Sequence, residues 1–184
     1  MTEIVREEDR DKHRVHIIYG ISKGLSLAGF RVGSIYTFND NVLTAAKKLS
    51  TFSSISAPTQ RLLISMLSNE RFIQEYLDTK EIKLKKMHDL FVSGLKQLGI
   101  PCAKSDAGLF CWVDMSGLIK PANEKGEMEL WKKLLSVGKL FLIPGSVFNS
   151  IEHGWFRCCF STLSEHDIPL VMDRIQKACG IATL

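Results

Sequence analysis

The chain has 184 residues, 45% of them apolar and 24% charged, with a formal net charge of +4. That is enough for one domain with a real core, or one and a half small ones, in an ordinary globular chain. No run of about eighteen apolar residues occurs, so no membrane span is expected. Lys and Arg are intermixed with acids and not gathered into a stripe with base-stacking aromatics, so nucleic acid is not an expected partner.

Residues 1–14 are polar, and a frayed start or a short helical lead-in is expected there. The first ten residues lack an apolar h-region, so no secretory signal is expected there. Residues 15–19 (VHIIY) read as a short buried strand, being β-branched and aromatic. A glycine-rich stretch follows at 20–33, then a strand over 31–37. Asn39 and Asp40 open a helix through about Leu49, with Val42, Leu43, Ala46 and Leu49 at helical spacing. Pro58 sits near the start of a second helix over 59–67.

The longest helical signal runs over 70–98, with a bend or break expected near Asp78 and Thr79. Gly99 is the predicted stop. Residues 80–86 (KEIKLKK) read as its solvated face. From there the pattern turns to short strands over 100–103, 109–114, 140–143 and 155–161. A helix is expected over 127–137 and a turn at Pro144 and Gly145. Ser164 and Asp167 form a plausible cap for a last helix through about Ala178.

The five cysteines, Cys102, Cys111, Cys158, Cys159 and Cys179, show no metal spacing, and the five histidines are scattered. They read as reduced, small apolar residues, with Cys158 and Cys159 on opposite faces of a strand. No metal site is expected.

Lys23 lies between Gly20, Ser22 and Gly24 at the end of an apolar strand. A desolvated amine in such a place suits a Schiff base, although a surface lysine in a strand-to-loop connection has the same pattern. Arg31 follows through a glycine-rich turn. A planar guanidinium there can clamp a phosphate, or it can close the loop by bonding backbone carbonyls. Arg157 lies mid-strand between Phe156 and Cys158, where an arginine is costly unless paired, either in a salt bridge or with a ligand anion.

The stretch 20–33, with Lys23, Ser26, Leu27, Gly29, Arg31, Val32 and Gly33, resembles the lysine signature of the class I/II pyridoxal-phosphate aminotransferase family. Within it the chain is similar to plant 1-aminocyclopropane-1-carboxylate (ACC) synthases. Residues 53–67 (SSISAPTQRLLISML), 107–115 (AGLFCWVDM), 127–133 (EMELWKK) and 154–160 (GWFRCCF) carry that closer match. It covers the chain from about Val15 to Gly180.

The resemblance implies an α/β, PLP-dependent transferase-like fold of the aspartate aminotransferase type, incomplete here. Residues 1–80 would be a remnant of the large PLP-binding domain and 81–184 the small α+β domain, joined through the long helix. Pyridoxal 5′-phosphate is the implied cofactor, with Lys23 its Schiff-base lysine and α-proton acceptor. Arg31 is implied at the phosphate, Ser22 as a weaker cofactor contact, and Arg157 at the substrate α-carboxylate. The implied reaction converts S-adenosyl-L-methionine to 1-aminocyclopropane-1-carboxylate and 5′-methylthioadenosine, the committed step to ethylene. It belongs to a cytoplasmic lyase that is a homodimer at full length.

The chain departs from the ACC synthase pattern at three positions. Gly20 replaces a usual serine that bonds the phosphate, worth about 1–3 kcal/mol. Gly24 replaces an aspartate and Ala28 a proline. The family's ring-stacking aromatic, the asparagine and tyrosine at the ring hydroxyl, and the aspartate at the ring nitrogen have no counterpart in the sequence. The chain therefore reads as a C-terminal portion that would be inactive alone. An aminotransferase of the same family would share Lys23, Arg31 and Arg157. A non-catalytic fragment is the third reading.

Overall fold

The computed structural model describes residues 11–182. The charged segment read as non-secretory lies outside them, and Lys12–Arg14 forms a single 3-10 turn. The chain divides into two units, one ending at Leu77 and one beginning at Asp78. Each has its own apolar core.

In the first unit, β1 (His16–Gly20) and β2 (Gly33–Thr37) pair as an antiparallel ribbon, with Gly20 opposite Gly33. Between them run a helical turn, α1 (Ile21–Gly24), and a 3-10 turn, Ala28–Phe30. The strand predicted over 15–19 forms, but it is not buried: Ile18 is 79% exposed. The unit's core gathers instead around Ile21, Leu25 and Leu63, with Leu27, Phe30, Val32, Met66, Tyr76 and Leu77 against it. Only β2 pairs with β1 among the described residues.

Two helices follow, the first with its predicted cap and the second with Pro58 near its start as expected. In α2 (Asp40–Ser50) the Asn39 side-chain Oδ1 accepts from the amides of Asn41 and Val42. In α3 (Ala57–Leu67) the Ser56 hydroxyl accepts from Thr59 N, and Pro58 occupies the first turn, where its missing N–H costs nothing.

The helix α4 (Glu70–Gln97) runs unbroken through Asp78 and Thr79, where a bend or break is predicted. Each of these residues costs a helix only some tenths of a kcal/mol, and neither is proline or glycine. The helix stops where expected. Gly99 adopts φ +70°, its amide bonds Lys96 O, and Ile100 N bonds Leu95 O, the two bonds of a left-handed C-terminal cap. Ile100 is buried behind it.

The second unit carries an antiparallel sheet in the order β3 (Phe110–Asp114), β5 (Trp155–Cys159), β4 (Ile143–Pro144). Its inward residues, Cys111, Val113, Phe156 and Cys158, meet Phe91 and Leu95 of α4, Leu130 and Leu134 of α5 (Glu124–Ser136), and Met172 and Ile175 of α6 (Asp167–Cys179). Phe110, Trp112, Asp114, Trp155, Arg157 and Cys159 alternate onto the other face.

The strand predicted over 100–103 reduces to one bridge, Cys102 to Val113. Pro101 offers no amide, so the pairing rests on Asp114 N to Pro101 O and Ala103 N to Trp112 O. The strand predicted over 140–143 shrinks to the short edge pair Ile143–Pro144, and the one over 155–161 ends at Cys159. The helix α5 begins earlier than predicted, because the Asn123 side chain caps it by accepting from Gly126 N. At α6 the Asp167 carboxylate accepts from the Ser164 amide and hydroxyl, at 2.7 and 2.8 Å.

Candidate functional site

The glycine pair that closes the β1–β2 ribbon makes residues 21–32 a connection between two paired strand ends. Backbone bonds pin its first turn: Ile21 N to Val32 O at 3.3 Å, and Leu25 and Leu27 N to Ile21 O at 3.1 and 3.3 Å. The Tyr76 hydroxyl adds a bond to Leu25 O at 2.6 Å. Ile21 and Leu25 turn into the core. The same helical turn places Ser22 half-buried and Lys23 on the solvent side. Lys23 is thus exposed, which corrects the expectation of a desolvated amine at this position.

Arg31 closes the connection in the left-handed conformation, φ 54° and ψ 45°. That costs a non-glycine residue about 1–2 kcal/mol. Its guanidinium is exposed and donates to Ala28 O at 3.1 Å. This is the loop-closing contact foreseen as the alternative to phosphate binding. A single exposed bond to a neutral carbonyl is weak beside a bidentate pairing with an anion. Two glycines shape the surroundings. A Cβ on Gly20 would find its nearest neighbour, Val32 O, 4.0 Å away, so a side chain fits there. At Gly24 the Tyr19 hydroxyl takes up the space a side chain would need.

Ser22, Lys23 and Arg31 therefore share one connection of the first unit. Arg157 belongs to the second. It lies mid-strand on β5, opposite Trp112 of β3 and Ile143 of β4. Its half-buried guanidinium sits between two aromatic rings, with Cζ 4.5 Å from the centroid of Phe110 and 4.9 Å from that of Phe148. It has no carboxylate partner and no hydrogen bond among the described residues. Phe148 is packed edge-on by Trp112, which stacks on Trp155, each at 6.0 Å between ring centroids.

Sequence reasoning missed Phe110, Phe148 and Glu127. In the sequence Glu127 is only the first residue of the helix expected over 127–137. In the structure it is fully buried, and its carboxylate accepts from Ser146 N at 3.0 Å and Gly154 N at 2.6 Å. It ties the 3-10 turn Gly145–Phe148, which carries Phe148, to the approach to β5, which carries Arg157. Gly154 itself has φ +94°, and a Cβ there would lie 2.5 Å from Ser116 Cα.

The five cysteines are free thiols. The thiol of Cys111 is pushed well up by its hydrogen bond with Cys102, with burial adding to it, and burial pushes Cys158 up as well. The same Cys102–Cys111 bond lowers Cys102, while burial raises Cys179 to about 11. Among the described residues no group of three or more His, Cys, Asp or Glu side chains is placed to hold a metal ion. No helix among them is long and apolar enough to cross a membrane.

Curated relatives share this sequence at high identity. One is 1-aminocyclopropane-1-carboxylate synthase 6 of Oryza sativa subsp. japonica, 57% identical over 92% of this chain and 31% of that protein. Another is "Probable aminotransferase ACS12" of Arabidopsis thaliana, 54% identical over 96% of this chain and 36% of its own length. A third is 1-aminocyclopropane-1-carboxylate synthase 8 of Arabidopsis thaliana, 49% identical over 89% of this chain and 35% of its own. The chain spans about a third of the length of these relatives.

Among solved structures, an aspartate aminotransferase from Rhizobium meliloti matches with a TM-score of 0.71 at 20% identity, over 94% of this chain and 43% of that one. A PLP-bound structure from Clostridium difficile 630 matches at 0.67 and 17% identity, over 91% of this chain and 42% of its own. These neighbours show the fold, a part of the aspartate aminotransferase type. The family model for aminotransferase class I and II matches residues 2–175, and on that match, which takes in Lys23, Arg31 and Arg157 alike, the chain belongs to the class I and II aminotransferase family.

Proposed function

We propose that this chain supplies the cofactor lysine, the phosphate clamp and the carboxylate clamp of an ACC-synthase-type enzyme that uses pyridoxal 5′-phosphate. The observation that carries the reading is Arg157, a half-buried guanidinium with no anionic partner of its own among the described residues. A buried cation is costly unless paired, so the position suits an anion brought by a ligand.

The donor set in the first unit also fits the cofactor. A primary amine and a guanidinium share one short connection, and the space beside Gly20 is open. Lys23 Nζ would attach the cofactor and then accept the substrate's α-proton. Arg31 would exchange its bond to Ala28 O for the phosphate, with Ser22 beside it. Arg157 would orient the substrate by its α-carboxylate. When bound, pyridoxal phosphate supplies the ring that stabilises negative charge at the α-carbon.

The substrate in this reading is S-adenosyl-L-methionine, released as 1-aminocyclopropane-1-carboxylate and 5′-methylthioadenosine. The working form is a cytoplasmic homodimer of the longer protein. Residues 1–80 belong to the large domain and 81–184 to the small one. In this reading the groups that the resemblance puts at the cofactor ring have no counterpart in these 184 residues, and the chain alone would be inactive.

An aminotransferase is the second reading, favoured by the 54% identity to the Arabidopsis thaliana protein of that name. Two assays test both. The chain is titrated with pyridoxal phosphate, and a visible absorbance band that disappears in Lys23→Ala is expected; failure to bind argues for a non-catalytic fragment. A version extended to the length of the relatives is incubated with S-adenosyl-L-methionine, and separately with an amino acid plus a 2-oxo acid. Methylthioadenosine release without the oxo acid supports the first reading, and oxo-acid-dependent amino transfer overturns it in favour of the second.

A further inference from the structure

We propose that Phe110 and Phe148 are positioning residues that hold the Arg157 guanidinium between their rings, leaving its N–H edge for a planar carboxylate. The proposal rests on the reading of Arg157 as a carboxylate clamp. It deepens that reading by naming what fixes the clamp.

The argument starts from the sheet. Register puts Arg157 opposite Trp112, and Phe110, two residues before Trp112 on β3, points to the same face. Phe148 comes from the other side, on the 3-10 turn after β4. The two rings lie 4.5 and 4.9 Å from Cζ, well inside the reach of a cation–π contact. A guanidinium that lies over two ring faces keeps its charge and all its N–H donors. Its in-plane donors stay available, and these match a carboxylate in the fork-to-fork manner.

Neither ring depends on Arg157 for its place. Phe148 rests against Trp112, which stacks on Trp155, and its turn is fastened by Glu127 through Ser146 N. Phe110 is held in the register of β3 with β5. The arginine is thus fitted into a slot made before any ligand arrives, and little rotamer freedom is left to lose on binding.

The test is NMR of the full 184-residue chain, following the Arg157 Nε–H resonance, assigned by its loss in Arg157→Lys. In the wild type this resonance is expected upfield, shifted by the two rings. Acetate and L-methionine should move it, and inorganic phosphate should move it less at equal concentration. Phe148→Leu and Phe110→Leu should each return the resonance toward the position of an exposed arginine. Each should also weaken carboxylate binding about fivefold, the order expected for one partly desolvated cation–π contact. Phe148→Tyr, which keeps the ring, should restore both, and circular dichroism shows which variants are folded.

If the leucine variants are folded yet keep the resonance and the carboxylate affinity of the wild type, the positioning role is overturned while the clamp stands. If neither acetate nor L-methionine moves the Arg157 resonance in the wild type, the clamp reading itself fails, and the proposal with it.

Discussion

Removing the Glu127 carboxylate should unfasten the second unit. Its two oxygens accept from Ser146 N and Gly154 N, and the side chain is fully buried. In Glu127→Ala both amides lose their acceptor in a place water reaches poorly. Each orphaned donor costs about 1–3 kcal/mol, so the gross loss is about 2–6 kcal/mol. The variant also relieves the cost of burying a charge, which offsets part of that loss. A net destabilisation of about 2–4 kcal/mol follows, a large share of the roughly 5–10 kcal/mol that holds a domain of this size. Glu127→Gln keeps one acceptor and turns an N–H₂ toward the other amide, so it should fall between wild type and alanine.

Urea unfolding followed by tryptophan fluorescence reads this unit selectively, because Trp112, Trp131 and Trp155, the only three tryptophans, all lie beyond Asp78. With a slope of about 1–1.5 kcal/mol per molar urea, the alanine midpoint should drop by roughly 2 M. A drop below about 0.5 M would show that the two amides find other partners and that the latch is not what fixes this region.

Two further substitutions bear on other elements. The Asp167 carboxyl is held below its usual range by hydrogen bonds from the Ser164 amide and hydroxyl. A depressed folded-state pKa adds stability above the unfolded value near 3.9 and loses it as pH falls through the folded value. Asp167→Asn should therefore lower the melting temperature at pH 7, and the gap to wild type should close toward pH 3. A gap unchanged with pH would mean the bonds do not favour the ionised form. Gly20→Ser puts a hydroxyl where a Cβ has 4.0 Å of clearance and the backbone is already extended, at φ −121°. It should tighten pyridoxal phosphate binding roughly tenfold by absorbance titration, the worth of one hydrogen bond to a charged oxygen. Unchanged affinity would place the phosphate away from the ribbon's end.

Local patterns carried much of this structure. The Asn39 cap, Pro58 in a first turn, the Gly99 stop and the alternation of Cys158 and Cys159 are set by residues within a few positions of each other, and all appear as read. What failed depends on partners distant in sequence. An apolar run such as 15–19 shows that a strand forms but not what covers it. Pro101 limits how far its segment can pair, and a pattern of apolar residues gives no weight to a missing amide. The candidate site divides in the same way. The connection holding Lys23 and Arg31 is contiguous and could be read as a motif, whereas the slot around Arg157 is assembled from residues 110, 127, 148 and 157. Glu127 shows the limit plainly, since a glutamate in a first helical turn looks solvated until the turn after β4 is folded over it.

The alternation on β5 also gives the second unit a chemical record of its own folding. Cys158 faces the core with its thiol held protonated by burial, and Cys159, one residue on, faces outward. Thiolates are the reactive species, so an alkylating reagent meets one strand with a guarded thiol and an open one side by side. The guarded thiol reacts only in molecules whose sheet has come away from α4, α5 and α6. With a reagent slow enough that the core recloses before it reacts, the ratio of labels at two neighbouring positions reports how often the core is open.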